Sequence, residues 1–388
     1  MSLISEIETD RAWLASVRHD IHAHPELAYE ETRTAGIVAD CLEEWGIEVS
    51  TGLAGTGVVG TIRNGSGARI GLRADMDALP IHETNAFEHK SRHAGKMHAC
   101  GHDGHTTMLL GAAKHLARNR NFSGTVDFIF QPAEEAAGGA KRMIDDGLFE
   151  QFPVDAVFGM HNWPGLAAGT FAVRTGAMMA SLDCFDIVIE GKGTHGALPH
   201  KGVDPVLAAA HVVTALQSLV SRNVDPLEVG VVSVTQIHAG DAYNIIPGRV
   251  ELAGGVRSFE PAVRERLLRR VEEVTAGVAA AFNARGTVRW GIEFPPVIND
   301  AANTRLAAEA AASVAGSGNV LTDSEPSLGS EDFAYMLEKK PGCYLFIGNG
   351  IGKGGCVIHN SAYDFNDDIL ALGASYWVRL TEQFLARA

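Results

Sequence analysis

Apolar residues in the first 175 positions recur with two spacings, one typical of helices and one typical of buried strands. Positions 37, 38, 41, 42 and 45 are apolar and fit one face of a helix that ends at Gly46. A second such pattern, from Met108 to Leu116, predicts another helix. Short apolar runs that predict strands lie at 58–62, 70–74, 125–130 and 156–160. Strands that alternate with helices are typical of an α/β fold with a parallel sheet.

An earlier helix is predicted near the start of the chain. Ser5 followed three residues later by Glu8 has the form of a capping box, which predicts that the helix begins there. The helix should end near His24, because Pro25 follows and a proline pushes the preceding residue out of the helical region. The sequence therefore predicts one continuous helix over this segment.

The pattern changes after Gly176, where the predicted order becomes strand, helix, strand, strand, helix, strand. Strands are predicted at 184–190, 229–238, 250–258 and 287–294, and the two helices begin at Pro205, capped by Asp204, and near Pro261. This is the order of a split βαβ, ferredoxin-like unit. The α/β pattern resumes after Pro295. We therefore predict an α/β/α domain of residues 1–180 and 295–388, with an inserted ferredoxin-like α+β domain of residues 181–294.

Composition narrows the class of protein. The chain has 388 residues, is 46% hydrophobic, and carries 32 basic against 47 acidic residues, a net charge of −15. Such a charge argues against nucleic acid or an anionic membrane as a partner. The five cysteines are odd in number and unpatterned, which favours a reducing compartment over a disulfide scaffold. Charged residues interrupt any leader-like run at the start, so the sequence predicts a cytoplasmic protein.

The richest candidate chemistry lies in residues 97–105, Met-His-Ala-Cys-Gly-His-Asp-Gly-His. Cysteine and histidine are the ligands that zinc and similar divalent metals prefer. Cys100 and His102 are two residues apart, so they do not share one face of a helix and would converge on a metal from a loop. The alternative is a turn that carries incidental histidines ahead of a helix.

Further polar residues follow the predicted strands. They are Asp75 and Asp77 after the second strand, Glu134 and Glu135 after the third, and His161 after the fourth. Open α/β sheets bind ligands in the crevice outside the carboxyl ends of their strands. His359 is a late histidine set among loop residues, as a metal ligand would be. The sequence therefore predicts a site at this edge of the sheet.

Several of these segments together resemble known motifs. They are Arg-Ala-Asp-Met-Asp-Ala-Leu-Pro at 73–80, His-Ala-Cys-Gly-His-Asp-Gly-His at 98–105, Gln-Pro-Ala-Glu-Glu at 131–135, Gly-Thr-His-Gly-Ala-Leu-Pro-His at 193–200, Asn-Ile-Ile-Pro at 244–247, Ser-Glu-Asp-Phe at 330–333 and Ile-His-Asn at 358–360. The chain resembles the M20 peptidase family, in particular its amidohydrolase branch of hippurate hydrolases, N-acyl-L-amino-acid amidohydrolases and auxin-conjugate hydrolases. Position 358 holds Ile where the branch often has Leu, a conservative difference.

The resemblance implies a catalytic domain of the metallopeptidase type that holds two divalent metal ions per subunit. The implied ligands are Cys100, His102, Glu135, His161 and His359. This mixed set of N, O and S donors suits zinc, manganese, cobalt or nickel, and ligand type alone does not choose among them. Asp75, Asp77 and Asp103 are expected to orient ligand imidazoles, whereas His98 and His105 are interpreted as structural.

The adjacent glutamates are expected to have different roles. In an extended segment, neighbouring side chains point to opposite sides, so Glu134 and Glu135 should not bind one ion in the same way. The family pattern implies that Glu135 is the metal ligand. It makes Glu134 the general acid/base, which takes a proton from the attacking water and passes it to the leaving amine. The alternative is an exposed acidic pair on a loop.

Three more candidates lie in the inserted domain, which the resemblance implies is a dimerisation or lid domain. His195 is expected to donate to the oxyanion, often from the partner subunit, and Asn244 and Arg257 to hold the substrate carboxylate. Arg257 could instead be a surface arginine on a sheet, and His195 could cap its own loop or reach its own metals. Exposed sheet edges in this domain favour a homodimer or a higher homo-oligomer.

The function implied is a metal-dependent amidohydrolase that cleaves N-acyl (N-acetyl, N-benzoyl or aryl-acetyl) L-amino acids to a carboxylic acid and a free amino acid. Within the same family, a dipeptidase or an N-acetyl-diaminopimelate deacetylase is the alternative. A hypothesis from another class is a metal-bearing binding protein without turnover, against which the intact Glu134 argues.

Overall fold

The computed structural model describes residues 3–351 and 355–386. The helices in this part of the chain are Leu3–Ile7 (α1), Arg11–Ala23 (α2), Thr32–Glu44 (α3), His102–Arg118 (α4), Glu134–Ala137 (α5), Gly139–Asp145 (α6), Leu148–Gln151 (α7), Pro205–Asn223 (α8), Pro261–Ala281 (α9), Ala301–Ala315 (α10), Ala334–Lys339 (α11) and Leu370–Phe384 (α12). The strands are Glu48–Leu53 (β1), Gly57–Asn64 (β2), Arg69–Asp75 (β3), Gly124–Gln131 (β4), Ala156–Pro164 (β5), Phe171–Ala172 (β6), Gly176–Met179 (β7), Leu182–Glu190 (β8), Thr194–His195 (β9), Gly230–Ala239 (β10), Ile245–Ile246 (β11), Arg249–Ser258 (β12), Arg285–Phe294 (β13), Val297–Asn299 (β14), Val320–Leu321 (β15) and Gly342–Gly350 (β16).

The chain divides into two compact units. The first consists of Met1–Met178, Ile298–Glu325 and Asp332–Ala388, and the second of Met179–Val297 and Pro326–Glu331. The division falls close to the boundaries expected from the hydrophobic pattern. It also assigns the short segment Pro326–Glu331 to the second unit, which the pattern alone did not indicate.

The first unit is built on an eight-stranded mixed sheet with the order β1-β2-β4-β3-β5-β16-β6-β15. The four central strands β4, β3, β5 and β16 are parallel to one another, and β1 and β2 extend the sheet in antiparallel fashion. The parallel strands are buried along almost their whole length, as expected for strands covered on both faces. The α/β class predicted from the sequence is confirmed.

Strand order places the candidate residues at one edge of this sheet. The chain runs from β3 through α4 to β4 on one side, and then returns to β5 on the other side of β3. A change of direction of this kind opens a crevice at the carboxyl ends of the strands. Asp75 is the last residue of β3 and lies level with Gln131 at the end of β4. The segments that carry the predicted site residues therefore begin at a common edge.

A buried ionic cluster around Arg18 fixes α2 in the first unit. The guanidinium is fully buried and donates to Asp364 from Nη1 (2.8 Å) and to Asp367 from Nε (2.8 Å). Its Nη1 lies 3.6 Å from the Asp103 carboxylate in α4, which also accepts from His22 Nδ1 at 2.8 Å. This cluster connects α2, the first turn of α4 and the segment ahead of α12.

The second unit has the predicted ferredoxin-like topology. Its elements follow the order β8-α8-β10-β12-α9-β13, and its sheet has the order β10-β12-β8-β13 with antiparallel neighbours. Asp204 caps α8 as expected, because its carboxylate accepts from the backbone N–H groups of Val206 and Leu207. A separate apolar core lies between this sheet and the two helices. The outer strands of the sheet are β10 and β13.

The prediction of one continuous first helix is wrong. The chain forms α1, then a 3-10 turn at Glu8–Asp10, and only then α2. Ser5 lies within α1 and therefore is not its cap, and the hydroxyl of Thr9 donates to the carbonyl of Glu6 at the turn. Among the residues described, no helix is both long and apolar enough to cross a membrane.

Candidate metal centre

Cys100 and His102 reach the site through a tight turn at the start of α4. Gly101 between them has φ of +97°, and a Cβ there would lie 2.2 Å from Asn162 Oδ1. Only glycine fits both the left-handed backbone and this close approach. Cys100 therefore ends the preceding loop, while His102 is the first residue of α4 rather than a loop residue.

The five predicted ligands and Glu134 come together in the first unit. Cys100 Sγ lies 3.3 Å from His161 Nε2, and Glu135 Oε1 lies 3.1 Å from His359 Nε2 and 4.0 Å from His102 Nε2. Three triads have ligand atoms within 4.8 Å of one another: Cys100–His102–His161, Cys100–Glu135–His359 and His102–Glu134–Glu135. Cys100, His102 and Glu135 each belong to two of these triads, so the triads are contiguous.

Hydrogen bonds orient two of the imidazoles with Nε2 towards the cluster. Asp77 Oδ1 accepts from His102 Nδ1 at 3.2 Å, and the carbonyl of Asn162 accepts from His161 Nδ1 at 2.6 Å. A neutral imidazole that donates from Nδ1 offers the lone pair of Nε2 to a metal. The lowered pKa of His161 agrees with this form, whereas His102, whose pKa is raised, would release its Nε2 proton when an ion binds. The carbonyl is a backbone group, so the orientation of His161 needs no particular neighbouring side chain.

Electrostatics within the cluster are strongly perturbed. Burial, together with the carboxylates of Glu135 and Glu134, raises the pKa of the Cys100 thiol well above its ordinary value. Burial alone would lower the pKa of His102, but the surrounding carboxylates, led by Asp75, raise it to about 10. Burial holds the pKa of His161 well below its ordinary value, so this ring is neutral. A bound cation would stabilise the ionised forms of the thiol and the carboxylates in this cluster.

The residues present fit a divalent metal. His102 Nε2 is buried and finds no hydrogen-bond partner among the described residues, although thiol and carboxylate groups surround it. A thiolate, imidazoles and carboxylates form a donor set suited to borderline-soft divalent ions. His359 completes the set from a left-handed backbone position, with φ of +62° and its N–H donating to the carbonyl of Ala99.

The segment with the two glutamates differs from the extended segment expected from the sequence. Ala133 adopts a left-handed conformation with φ of +56°, and Glu134 and Glu135 begin the short helix α5. Asp77 Oδ1 accepts from the N–H of Glu134 and Asp77 Oδ2 from the N–H of Glu135. Both side chains therefore reach the cluster instead of pointing to opposite sides.

Asp75 and Asp103 have partners other than the ligand imidazoles expected for them. Asp75 Oδ1 accepts from His105 Nδ1 at 2.6 Å and Asp75 Oδ2 from Arg73 at 2.7 Å, while Asp103 pairs with His22. His105 Nε2 in turn faces Asn162. Of the three aspartates, Asp77 alone hydrogen-bonds a predicted ligand among the contacts described. Neither Arg73 nor His22 was identified as important from the sequence.

Two of the three candidates in the second unit, His195 and Asn244, lie beside each other. Ile245 pairs with His195 in the β9–β11 ribbon, and the carbonyl of the exposed Asn244 accepts from the N–H of Gly196. His195 Nδ1 accepts from the N–H of Ala197 at 3.0 Å, which leaves its Nε2–H as a donor. Arg257 lies in β12, where its Nη1 donates to the carbonyl of Leu328 at 2.7 Å.

The parallel strands at the centre of the sheet bring a thiol, imidazoles and carboxylates together at their carboxyl ends, an arrangement that suits a metal-dependent enzyme of the α/β class. Residues 71–383 match the model of peptidase family M20/M25/M40, and the chain belongs to this family. It is 43% identical to a hippurate hydrolase of Campylobacter jejuni, over 99% of this chain and 100% of the relative. It is 42% identical to an N-acetyl-L-cysteine deacetylase of Bacillus subtilis, over 94% and 86% of the two chains.

The fold agrees with a solved structure of the same family. A Bacillus subtilis protein described as a dinuclear metal-binding peptidase of the M20 family superimposes with a TM-score of 0.85 at 37% identity. The match covers 97% of this chain and 99% of that one. The family, the fold and the buried donor set together indicate an enzyme that uses divalent metal ions.

Metal removal should abolish activity. Protons compete with a metal for thiolate, imidazole and carboxylate groups, so acidification should release bound ions, and EDTA should do so at neutral pH. The measurement is elemental analysis of the protein, together with hydrolysis assays before and after metal is added back. Full activity in protein shown to be metal-free would contradict the assignment.

Replacing Cys100 should weaken metal binding, whereas replacing a buried cysteine outside the cluster should not. Cys100→Ala should lower the affinity for zinc or cobalt by about 100-fold or more, because loss of even an outer partner of a ligand costs 10–100-fold. Competition with a chromophoric chelator measures this affinity. Cys343, also buried but in β16, provides the matched control, and Cys343→Ala should leave metal affinity unchanged.

Proposed function

We propose that the protein is an amidohydrolase that cleaves N-acyl L-amino acids to a carboxylic acid and a free amino acid, using two divalent ions held by Cys100, His102, Glu135, His161 and His359. The observation that carries the proposal is the position of Glu134. Its carboxylate is buried, and Oε2 lies 4.0 Å from His102 Nε2 at the centre of the donor set. A buried acid/base beside candidate metal ligands fits hydrolysis better than binding alone.

The residues of the chain divide the reaction between them. Divalent ions held by the five ligands would supply Lewis acidity at the amide carbonyl and at the attacking water. Glu134 accepts a proton from the attacking water while the oxygen of this water forms a bond to the acyl carbon. When the carbon–nitrogen bond breaks, Glu134 returns the proton to the leaving amine. His195 donates its Nε2–H to the developing oxyanion, and Asn244 and Arg257 bind the carboxylate of the amino-acid part.

The substrate class rests on the likeness to relatives named for N-acyl amino acids. One is named as a hydrolase of hippurate and the other as a deacetylase of N-acetyl-L-cysteine. Their names differ in the acyl group, which is benzoyl in hippurate and acetyl in the other. We therefore propose that the free carboxylate and the secondary amide are the shared features recognised.

A substrate panel tests this proposal. N-acetyl, N-benzoyl and indole-acetyl amino acids should be hydrolysed with a kcat/KM about 10-fold or more above that of dipeptides, a difference within the range of pocket discrimination. The measurement is release of the free amino acid by the metal-loaded enzyme. Preference for dipeptides or for N-acetyl-diaminopimelate would replace the proposed substrate class, and no hydrolysis of any of them would favour a binding protein.

The two glutamates should give different phenotypes. Glu134→Gln keeps the size of the side chain but removes the proton acceptor, so kcat should fall about 100-fold or more while metal still binds. Glu135→Gln should instead lose metal, because a neutral amide is a weaker ligand than a carboxylate. Metal content and kcat, measured on the same preparations, separate the two effects. The reverse pattern would exchange the proposed roles.

We also propose that the enzyme forms a dimer through the second unit. His195 of one subunit would then donate to the oxyanion that forms at the metal centre of the partner subunit. In the part of the chain that the structure describes, β10 is an outer strand of its sheet and pairs only with β12, and its Ile237 is 58% exposed. An exposed, partly apolar edge strand favours pairing with another copy. The β9–β11 ribbon that carries His195 is also exposed. Ile245 in β11 and Tyr243 just before it are both exposed apolar residues.

Complementation between inactive variants tests action across the dimer. His195→Ala and Glu134→Gln should each lose about 100-fold or more in kcat, as loss of an oxyanion donor or of a general base does. Mixed dimers should regain activity at one of their two sites. At that site the His195→Ala subunit supplies an intact Glu134 and the Glu134→Gln subunit supplies an intact His195. The measurement is kcat after subunit exchange, which a tagged partner verifies. Exchange without recovered activity would show that His195 acts within its own chain.

A further inference from the structure

A buried glutamate outside the recognised motifs contacts the turn that leads into α5. Glu31 is fully buried between α2 and α3, and its carboxylate accepts three hydrogen bonds. Its Oε1 accepts from the backbone N–H of Ala133 at 2.9 Å and from that of Tyr29 at 3.0 Å. Its Oε2 accepts from the hydroxyl of Thr56 at 2.8 Å.

The turn at Ala133 is one that alanine does not favour by itself. Left-handed backbone brings the Cβ of an L-residue close to the following carbonyl oxygen, and φ of Ala133 is +56°. Three consecutive backbone N–H groups point to two buried carboxylates: that of Ala133 to Glu31, and those of Glu134 and Glu135 to Asp77. The conformation that aims both glutamates is therefore held by side chains from elsewhere in the chain.

The same segment also contacts the far end of α5. The hydroxyl of Tyr29 donates to the carbonyl of Ala137 at 2.8 Å. Tyr29 itself has a left-handed backbone, with φ of +65°, and its N–H is bound by Glu31. Residues 29–31 therefore hold the helix at Ala133, immediately before its first residue, and at Ala137, its last residue.

We propose that Glu31 is a positioning residue for hydrolysis, which fixes the Ala133 turn so that Glu134 and Glu135 keep their working orientations. The inference rests on the proposed roles of these two glutamates. Glu31 lies on a different segment and acts through the backbone of Ala133, so it supplies neither a metal ligand nor a proton. Its contribution is an acceptor at a fixed place beneath the turn.

This role makes a specific demand on side-chain chemistry. The three partners of Glu31 donate, so an acceptor is needed at Oε1, where two N–H groups converge. Glutamine supplies this acceptor, and the Thr56 hydroxyl can rotate to accept from its amide group. Alanine supplies none and leaves the Ala133 and Tyr29 N–H groups buried without their acceptor. The glutamine variant should therefore keep the conformation of the Ala133 turn, which the alanine variant should lose.

The experiment compares three variants of the full-length protein. In Glu31→Ala, kcat should fall at least about 10-fold with KM nearly unchanged, and cobalt affinity should weaken about 10-fold, in the range found for residues that support ligands. Glu31→Gln should stay within about 3-fold of the parent in both. Asp127→Ala is the matched control, because Asp127 is a buried carboxylate of β4 that accepts from the Thr61 hydroxyl. It should lower thermal stability while kcat and cobalt affinity per folded molecule stay unchanged.

Cobalt affinity, read from the visible spectrum of cobalt added to metal-free protein, reports the geometry without turnover. Unchanged kcat and cobalt affinity in folded Glu31→Ala would overturn the proposal, as would a Glu31→Gln variant as impaired as Glu31→Ala. If Glu31→Ala does not fold, Glu31→Asp replaces it, since it is one methylene too short to reach Ala133 and should show the same losses. If Glu134→Gln proved fully active, the proposed function would fail, yet a cobalt defect in Glu31→Ala would still establish the positioning.

Discussion

Burial of several acidic groups at one edge of a parallel sheet is the constraint on which the rest of the site depends. Asp75, Asp77 and Glu134 are all less than a tenth exposed. Buried charges are costly unless they are paired or hydrogen-bonded. Asp75 has Arg73 and His105 as partners, and Asp77 has two backbone N–H groups and His102. Glu134 and Glu135 face His102 Nε2, and a divalent cation there would supply positive charge and allow Cys100 to lose its proton.

The Arg18 cluster shows the other solution to the same problem. The buried Asp103 and the partly exposed Asp364 and Asp367 also lie close together, but a buried guanidinium from α2 lies among them. Burial alone would lower the pKa of His22, but the Asp103 carboxylate, helped by Glu83, raises it to about 9, so this ring adds a second positive charge. Acidic residues that are matched by the protein's own cations need no metal.

The features that the sequence predicted are those fixed by short stretches of chain. Periodicity and the Asp204 cap were enough for the ferredoxin-like order, and the strand ends and the Cys100–His102 pair indicated the edge of the sheet where candidate metal ligands lie together. The Ser5 capping box failed because a 3-10 turn interrupts the helix, which the motif does not report. Glu31 could not be found in this way, because its partner is a backbone group 102 residues away and an N–H group has no signature in the sequence.

The distinction between the adjacent glutamates also depends on distant residues. In a helical turn neighbouring side chains are only about 100° apart, so alternation does not separate their roles as it would in a strand. Their second contacts differ, since Glu135 Oε1 faces His359, whereas Glu134 Oε1 lies 3.4 Å from the backbone N of Asp332.

Asp332 is in turn fixed by the interior of the first unit. Its carboxylate accepts from Arg73, from the side chain of Gln131 and from the N–H of Ala140. Arg73 also binds Asp75, so one buried guanidinium connects the acid beneath the cluster to the residue whose backbone N–H approaches Glu134. With Oε1 directed to that N–H, Oε2 is the oxygen left to face His102. The two oxygens of Glu134 therefore have different neighbours, the N–H of Asp332 and the ring of His102, whereas Glu135 Oε1 faces the rings of both His359 and His102.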